Sequence, residues 1–236
     1  MKKIIPFIVI PFLFCSCIFP GIHIDTDKMA IRCTGPVETR LLPVEGDFWA
    51  LEINGGFDIN LVNVSDSTSV EVTANNEVFD YIEAFTKEEG GQKILVLQYK
   101  DHANVRAKEC RITIVSTCFS SITVNGAADL DYPSPAFSGY PLDVEINGAG
   151  DIEISEYSGP KMSVTVNGAA DIDLKDISAL RLDVMINGAG DVNVSGEVNV
   201  ATFDVNGVGD VNARNLTVKE ATKVSRAGLA TVRLKK

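Results

Sequence analysis

Residues 146–154 read INGAGDIEI, and close copies of this stretch occur four more times in the chain. The copies are VNGAADLDY (124–132), VNGAADIDL (166–174), INGAGDVNV (186–194) and VNGVGDVNA (205–213). Measured between their asparagines, the steps are 22, 20, 20 and 19 residues, and a worn copy, VSRAGLATV, follows at 224–232. A period near 20 residues indicates a repeat architecture, in which each unit packs on its neighbours.

The residues around each Asn-Gly pair alternate between apolar and polar. Leu180, Leu182, Val184 and Ile186 precede one pair, and Val192 and Val194 follow it. A period of two is typical of β-strands with one buried face, and no segment of the repeat shows a helical period. The sequence therefore predicts an all-β chain.

Two folds meet these facts. The first is a β-meander, with Asn-Gly as a type I′ hairpin turn. The second is a parallel β-helix-like solenoid with about 20 residues per coil, whose strands stack about 4.8 Å apart. We favour the solenoid, because stacking brings equivalent positions into contact and so selects the same letter in every coil, whereas separate hairpins do not. An asparagine amide suits such a stack, since it donates to one neighbour and accepts from the other.

The Asn-Gly pairs are the predicted corners of the coils. We expect positive φ there, which asparagine and glycine tolerate best. The predicted corner residues are Asn125, Gly126, Asn147, Gly148, Asn167, Gly168, Asn187, Gly188, Asn206 and Gly207. Two residues after each glycine stands another small residue, which predicts that one corner lies closely on the next. These small residues are Ala128, Gly150, Ala170, Gly190 and Gly209.

Acidic residues follow every corner and form two predicted columns. The first column is Asp129, Asp151, Asp171, Asp191 and Asp210, and the second is Asp131, Glu153, Asp173, Asn193 and Asn212. Stacked carboxylates about 5 Å apart repel by roughly 0.9 kcal/mol per pair in water, so something must offset the repulsion. One interpretation is that each Asp caps backbone N–H groups of its own turn. The other is that the first column binds calcium through oxygen ligands. The local cap is favoured, and no other cofactor is indicated.

The N-terminus predicts export. Lys2 and Lys3 precede an apolar stretch, 4–14, that is too short to span a membrane. Phe14-Cys15-Ser16-Cys17 resembles a bacterial lipoprotein signal and makes Cys17 the predicted lipidation site. An ordinary cleaved signal peptide is the alternative. We thus expect residues 1–16 to be a signal peptide and the protein to be held at a membrane by an acyl anchor.

The rest of the chain divides into three predicted parts: a tether (17–37), an N-terminal β region (38–118) and the repeat region (119–236). Loss of residues 1–16 leaves 19 basic and 32 acidic residues, a net charge of about −13. This charge argues against nucleic acid and anionic lipid as surface partners, and allows cations, basic proteins or neutral glycans. The remaining cysteines, Cys33, Cys110 and Cys118, are odd in number, so their pairing is left open.

The order of several strand-like segments in this chain resembles that of a known family. FDINLV (57–62), SVEVTAN (69–75), KILVL (93–97), ITIVS (112–116), ITVNGAADLD (122–131) and the INGAGDIEI corner occur in that order. The set is similar to the putative auto-transporter adhesin, head GIN domain family, over roughly residues 45–232. The resemblance implies a right-handed parallel β-helix-like fold in an exported or lipid-anchored protein of Bacteroidetes-type bacteria, with no catalytic residues.

The predicted function is therefore binding and not catalysis. The histidines are His23 and His102, and no nucleophile motif accompanies either. A Pro-rich insertion at 132–141 offers Tyr132, Phe137 and Tyr140 as ligand contacts, for a glycan or an envelope protein; alternatively, these aromatics cover an exposed edge.

Three hypotheses follow for the function. A cell-envelope adhesin leads, a structural protein that self-associates into homo-oligomers is second, and a calcium-dependent polysaccharide enzyme is third. The basic C-terminus (224–236) would blunt the open end of the stack or dock on an acidic neighbour. We expect an outer-membrane location, with the periplasmic face favoured because Asp25 and Asp27 come late after Cys17.

Overall fold

In a computed structural model of the chain, the structure describes residues 30–64, 66–133 and 139–235. Within these ranges the chain is nearly all β, with sixteen strands and two short 3-10 turns. The prediction of an all-β chain is confirmed. The predicted signal peptide, Cys17 and most of the predicted tether lie outside the described residues.

The strands of the N-terminal half are β1 (Ile31–Cys33), β2 (Val37–Leu42), β3 (Ala50–Asn54), β4 (Gly56–Asn63), β5 (Ser69–Asn75), β6 (Ile82–Glu89), β7 (Gln92–Tyr99), β8 (Val105–Ala107) and β9 (Cys110–Ser116). Those of the repeat region are β10 (Ser121–Val124), β11 (Ala127–Tyr132), β12 (Leu142–Ile146), β13 (Ala149–Ile154), β14 (Tyr157–Val166), β15 (Ala169–Ile186) and β16 (Val192–Leu234). The 3-10 turns are Asn76–Asp80 and Lys100–His102.

Successive repeats pair in parallel, one unit apart. In what we term the first run, β9, β4, β11, β13 and the start of β15 lie side by side. In the second run, β7, β3, β10, β12, β14 and the end of β15 do the same. The meander is therefore the wrong alternative for the repeat, because hairpins would pair neighbouring strands antiparallel.

The two runs belong to one sheet of 14 strands. Strand β15 joins them, since its first residues pair with β13 and its last with β14, while β16 continues along β15. The sheet thus folds back on itself into a nearly closed, barrel-like layer. Each Asn-Gly pair lies where the chain passes from the second run to the first, for example between β10 and β11.

The core lies between the runs and consists of stacked columns of aliphatic side chains. One column has every member buried to 0% exposure: Val124, Ile146, Val166, Ile186 and Val205. Full burial of such a side chain contributes about 1.5–3 kcal/mol. A single apolar cluster extends from Cys33 to Leu216, so it crosses the predicted boundary between residues 118 and 119.

The N-terminal strands close the stack with antiparallel pairs. Strand β2 pairs with β5, and β5 with β9, at the end of the first run. Strand β6 pairs with β7 at the end of the second. Strand β1 pairs with β8, and Cys33 is buried, so residues 31–33 of the predicted tether belong to the folded part.

Candidate functional site

The asparagines of the corners form a continuous ladder of amides. Each side-chain N–H₂ donates to the Oδ1 of the asparagine one coil earlier, and Asn54 accepts at the N-terminal end. The distances are 2.9 Å for Asn125 to Asn54, 3.0 Å for Asn147 to Asn125, 2.9 Å for Asn167 to Asn147, 2.9 Å for Asn187 to Asn167 and 3.4 Å for Asn206 to Asn187. The predicted amide stacking is confirmed.

The corner glycines are required for a different reason from the one predicted. None of the five has the positive φ expected of it, so that expectation was wrong. A Cβ on Gly148 would lie 1.8 Å from the carbonyl oxygen of Gly126, and one on Gly168 would lie 1.8 Å from that of Gly148. Glycine is selected because the next corner's backbone occupies the space of a side chain.

The small residues two positions later are explained in the same way, as predicted. A Cβ on Gly150 would lie 2.1 Å from the oxygen of Ala128, and one on Gly190 would lie 2.1 Å from that of Ala170. Ala128 and Ala170 are themselves buried. The corner therefore brings two backbone segments of adjacent coils into direct contact.

The first acidic column stands in register along the first run. Asp58 pairs with Asp129, Asp129 with Asp151, and Asp151 with Asp171. Toward the C-terminal end, Oδ1 of Asp171 accepts the backbone N–H of Asp191 at 3.2 Å, and Oδ1 of Asp191 accepts that of Asp210 at 2.8 Å. The caps thus exist, but their donors belong to the next coil and not to the residue's own turn.

Arginines neutralise both ends of this column. Arg111 lies 3.4 Å from Asp58, and Arg233 lies 2.9 Å from Asp210. Bonds from Thr231 and then Arg233 hold the pKa of Asp210 below its usual value. Among the described residues, no ion pair reaches the four aspartates between these ends, Asp129, Asp151, Asp171 and Asp191.

The second column lies beside the first and bounds an open acidic groove of about 570 Å³. Lys175 pairs with Glu153 at 2.5 Å and lowers the pKa of that carboxyl. Asn193 donates to Asp173 at 2.8 Å, and Asn212 donates to Asn193 at 3.2 Å. In the described part of the chain, no three acidic, histidine or cysteine side chains come together as a metal site, at these columns or elsewhere.

The predicted aromatic contacts do not form one site. Tyr132 is fully buried; its ring packs edge-on against Phe119 and its hydroxyl accepts from Asn63 at 2.5 Å. It is therefore inaccessible to a ligand, which corrects the expectation for this residue. Phe137 lies outside the described residues. Tyr140 is 58% exposed, and its carbonyl oxygen accepts a hydrogen bond from the Tyr157 hydroxyl at 2.9 Å.

A groove beside Tyr140 escaped the sequence analysis. A third, shorter set of parallel pairs joins residues 157–159, 177–179 and 196–198, where the chain returns from the first run to the second. The side groove, as we call it, has a volume of about 480 Å³. It is lined by Gly139, Ser158, Gly159, Pro160, Ser178, Ala179, Leu180, Glu197, Asn199 and Lys219. The alternation of the sequence assigns Leu180 to the buried face, but Leu180 is 62% exposed. The groove therefore presents an apolar side chain beside hydroxyl and amide groups.

The sequence profile of the family described as putative auto-transporter adhesin, head GIN domain, matches residues 47–235. The chain belongs to this family. The match covers strands β3 to β16 and every corner, so it confirms the resemblance found in the sequence. No curated protein matches the chain.

Solved structures share the fold of this head GIN protein. A putative lipid binding protein from Parabacteroides distasonis aligns with a TM-score of 0.74 at 18% identity, covering 88% of this chain and 100% of that one. A putative adhesin from Bacteroides fragilis aligns with a TM-score of 0.65 at 19% identity, covering 87% and 100%. A putative adhesin from Parabacteroides merdae gives 0.54 at 16% identity, covering 88% and 99%.

The head GIN protein assembles no recognisable catalytic centre from its described residues. His102 is exposed in the 3-10 turn Lys100–His102. Cys33, Cys110 and Cys118 are free thiols, and burial raises the pKa of each, which disfavours the reactive thiolate. Lys161 and Arg181, two cations of the repeat region, are both paired with Asp183.

No helix among the described residues has the length and apolar character needed to cross a bilayer. The family and its structural neighbours are named for adhesion and lipid binding.

Proposed function

We propose that this head GIN protein is a non-enzymatic binding module of the cell envelope, an adhesin that binds a neutral glycan in the side groove. The observation that carries the proposal is a groove that combines an exposed apolar side chain, Leu180, with hydroxyl and amide groups. The exposed Tyr140 follows the lining residue Gly139 directly in the chain. Sugar rings pack on aromatic and apolar side chains, and their hydroxyls bond to groups such as those of Ser158, Ser178 and Asn199.

The scaffold favours this role. The strands repeat in register, and we infer that they wind as a right-handed parallel β-helix-like solenoid with about 20 residues per coil. Such a stack offers an extended face at fixed spacing, which suits repeated ligands. No cofactor is part of the proposal.

We also propose that the protein is anchored at the outer membrane through a lipid on Cys17, facing the periplasm. Incorporation of a clickable fatty-acid analogue that is lost in Cys17→Ser would support the anchor. Incorporation that persists in this variant would refute it. Protease treatment of intact cells would cleave the protein only if it faces outward, against the proposed orientation.

A glycan array tests the binding proposal directly. Wild-type protein should bind one class of glycan, and Tyr140→Ala and Leu180→Asn should each weaken that binding at least about tenfold, the scale of losing one well-packed contact. Phe85→Ala is the matched control, because Phe85 is exposed to 41% on β6, away from the groove. Equal losses in all three variants, or binding unaffected by the first two, would contradict the assignment.

A further inference from the structure

The charge of the chain is separated along the stack. Residues 214–236 contain seven of the 21 basic residues of the chain but only one of its 32 acidic residues, Glu220. The body of the stack is consequently acidic, and its C-terminal end is basic. Such an end attracts an acidic surface and repels another copy of itself.

The basic end is also an open strand edge. None of the other described strands pairs with the outer edge of the last turn of β16. Leu216 is the last fully buried member of the apolar cluster, and Val218, Ala230 and Val232 are only partly buried against it. Residues 219–229 are all exposed, and Leu229 reaches 79% exposure. We call residues 219–234 the tail edge. An edge of this kind presents backbone N–H and C=O groups that another strand can pair with.

Some of the cations at the tail edge are already occupied and some are not. Lys219 pairs with Glu197 at 2.6 Å, and Arg233 pairs with Asp210 at 2.9 Å. Lys223 and Arg226 are exposed and take part in no ion pair within the described residues. These two side chains are therefore available to an acidic partner.

The opposite end of the stack supplies such a partner. Strand β6 is the last strand of the second run, so one of its edges has no neighbour among the described strands. It carries three glutamates and one cation, Lys87. Glu89 lies 3.3 Å from Lys87 but is still 70% exposed. Strand β2 has the same terminal place in the first run, and its Leu41 is 67% exposed. We call β6 and β2 together the head edge.

The two edges match when one copy follows another along the stack. The tail edge extends both runs, since β16 continues along β15, and β6 and β2 begin the same two runs. We propose that copies of this chain associate head to tail, with Lys223 and Arg226 of one copy facing the acidic β6 edge of the next, and Leu229 near the exposed Leu41 of β2. Because the contact joins unlike surfaces, it builds an open row and not a closed dimer.

The alternative role of basic residues at a strand edge is protection against pairing. Both interpretations agree on the structure and differ in the behaviour of the protein. If the cations only protect, the wild type stays monomeric and charge reversal at the tail does not reduce its association. If they recruit a second copy, reversal weakens the contact and a compensating reversal restores it.

The test is a charge swap followed by sedimentation velocity of the full chain in mild detergent. Wild type should show a mass that rises with protein concentration. Lys223→Glu/Arg226→Glu at the tail, and Glu88→Lys/Glu89→Lys at the head, should each need about tenfold more protein, as expected for two lost surface pairs. An equal mixture of the two variants should regain association, because each then offers the charge that the other needs.

The matched control is Lys161→Glu/Lys175→Glu, which makes the same change of charge on the sides of the stack and should leave association unchanged. Three results would overturn the proposal: a wild type that stays monomeric at its highest soluble concentration, oligomers insensitive to both reversals, or variants that fail to rescue each other. A monomer that sediments with phosphatidylglycerol vesicles, and loses this in Lys223→Glu/Arg226→Glu, would also overturn it and assign the tail edge to a lipid surface.

Discussion

The asparagine ladder and the first aspartate column stack with the same period, yet they are stabilised in opposite ways. Each asparagine bonds to the next, because an amide is both donor and acceptor. An ionised carboxylate only accepts, so the aspartates cannot bond to one another. They accept hydrogen bonds from backbone N–H groups of the next coil at two positions, and they pair with arginines at the two ends of the column. Stacking thus stabilises a column of asparagines and destabilises a column of the nearly isosteric aspartates.

The comparison suggests that the asparagines serve the fold and that the aspartates are tolerated by it. A row of carboxylates costs stability where no cation balances it. The column nevertheless lies on the outer face, where water screens the charges and limits the cost. The following predictions are arranged from the largest expected effect to the smallest.

The backbone contact beneath the asparagine ladder should be the most sensitive feature. Gly148→Ala places a Cβ 1.8 Å from the Gly126 oxygen, so we expect a loss of about 3 kcal/mol or more in the free energy of unfolding. Gly56→Ala is the control, because its nearest atom is 4.0 Å away. Urea denaturation measures both, and equal effects would mean that the corners are not in contact.

The ladder itself should be next. Asn167→Ala removes two donated bonds, to Asn147 and Glu145, and one accepted bond from Asn187. It should cost about 1–2 kcal/mol in unfolding free energy. Asn206→Ala, at the end of the ladder with a single long bond of 3.4 Å, should cost less than half of this. Equal costs at the two positions would show that the amide bonds add little to stability.

The aspartate column should respond with the opposite sign. Asp171→Asn keeps an oxygen for the N–H of Asp191 and relieves two repulsions, so we expect a gain of about 0.5–1 kcal/mol that shrinks in high salt. Asp210→Asn should instead destabilise, because it removes the partner of Arg233. Thermal unfolding at two salt concentrations distinguishes these outcomes, and a loss in both variants would argue that the central carboxylates are needed.

Lowering the pH should reduce the stability that the pairing of Asp210 with Arg233 gives to the C-terminal end of the column. The folded-state pKa of Asp210 lies below its ordinary value of 3.8 because of bonds from Thr231 and Arg233. A lowered folded pKa gives stability that is present above the unfolded pKa and is lost as the pH falls through the folded pKa. Between pH 5 and pH 2, wild type should therefore lose more stability than Asp210→Asn or Arg233→Gln. Parallel curves for the three proteins would contradict this.

Calcium should have the smallest effect. The described acidic residues do not converge in threes, so we expect the unfolding temperature to be equal in calcium and in chelator. Asp151→Asn/Asp171→Asn is the control for any shift that does occur. A shift of several degrees that this double variant abolishes would restore the column as a metal site.

The stacking could be predicted from the sequence because Asn, Gly and Asp recur together in successive units of the repeat. The role of the corner glycines was predicted wrongly. A glycine is selected either for a positive φ or for a close backbone neighbour, and the sequence alone does not distinguish the two. The position of Tyr132 was predictable: it follows Ala128 and Leu130 on the inward face of β11, and its phase outweighs its place beside prolines.

Other features were beyond the sequence. Arg111 lies outside the repeat and reaches Asp58 only through the pairing of β9 with β4. The side groove is built from three segments whose sequences, Tyr157–Gly159, Ile177–Ala179 and Gly196–Val198, share no motif. The surface forms only because these segments align across coils. That alignment depends on where each unit places the residues by which it is longer than its neighbours.

The corners keep their register although the steps between them vary from 19 to 22 residues. The differences in unit length are accommodated next to the third, shorter set of parallel pairs, for instance by the register shift between Leu174 and Ile177. A duplicated unit would therefore insert without disturbing either end and would lengthen the molecule by about 4.8 Å. The number of units therefore sets the distance between the head edge and the tail edge of the molecule.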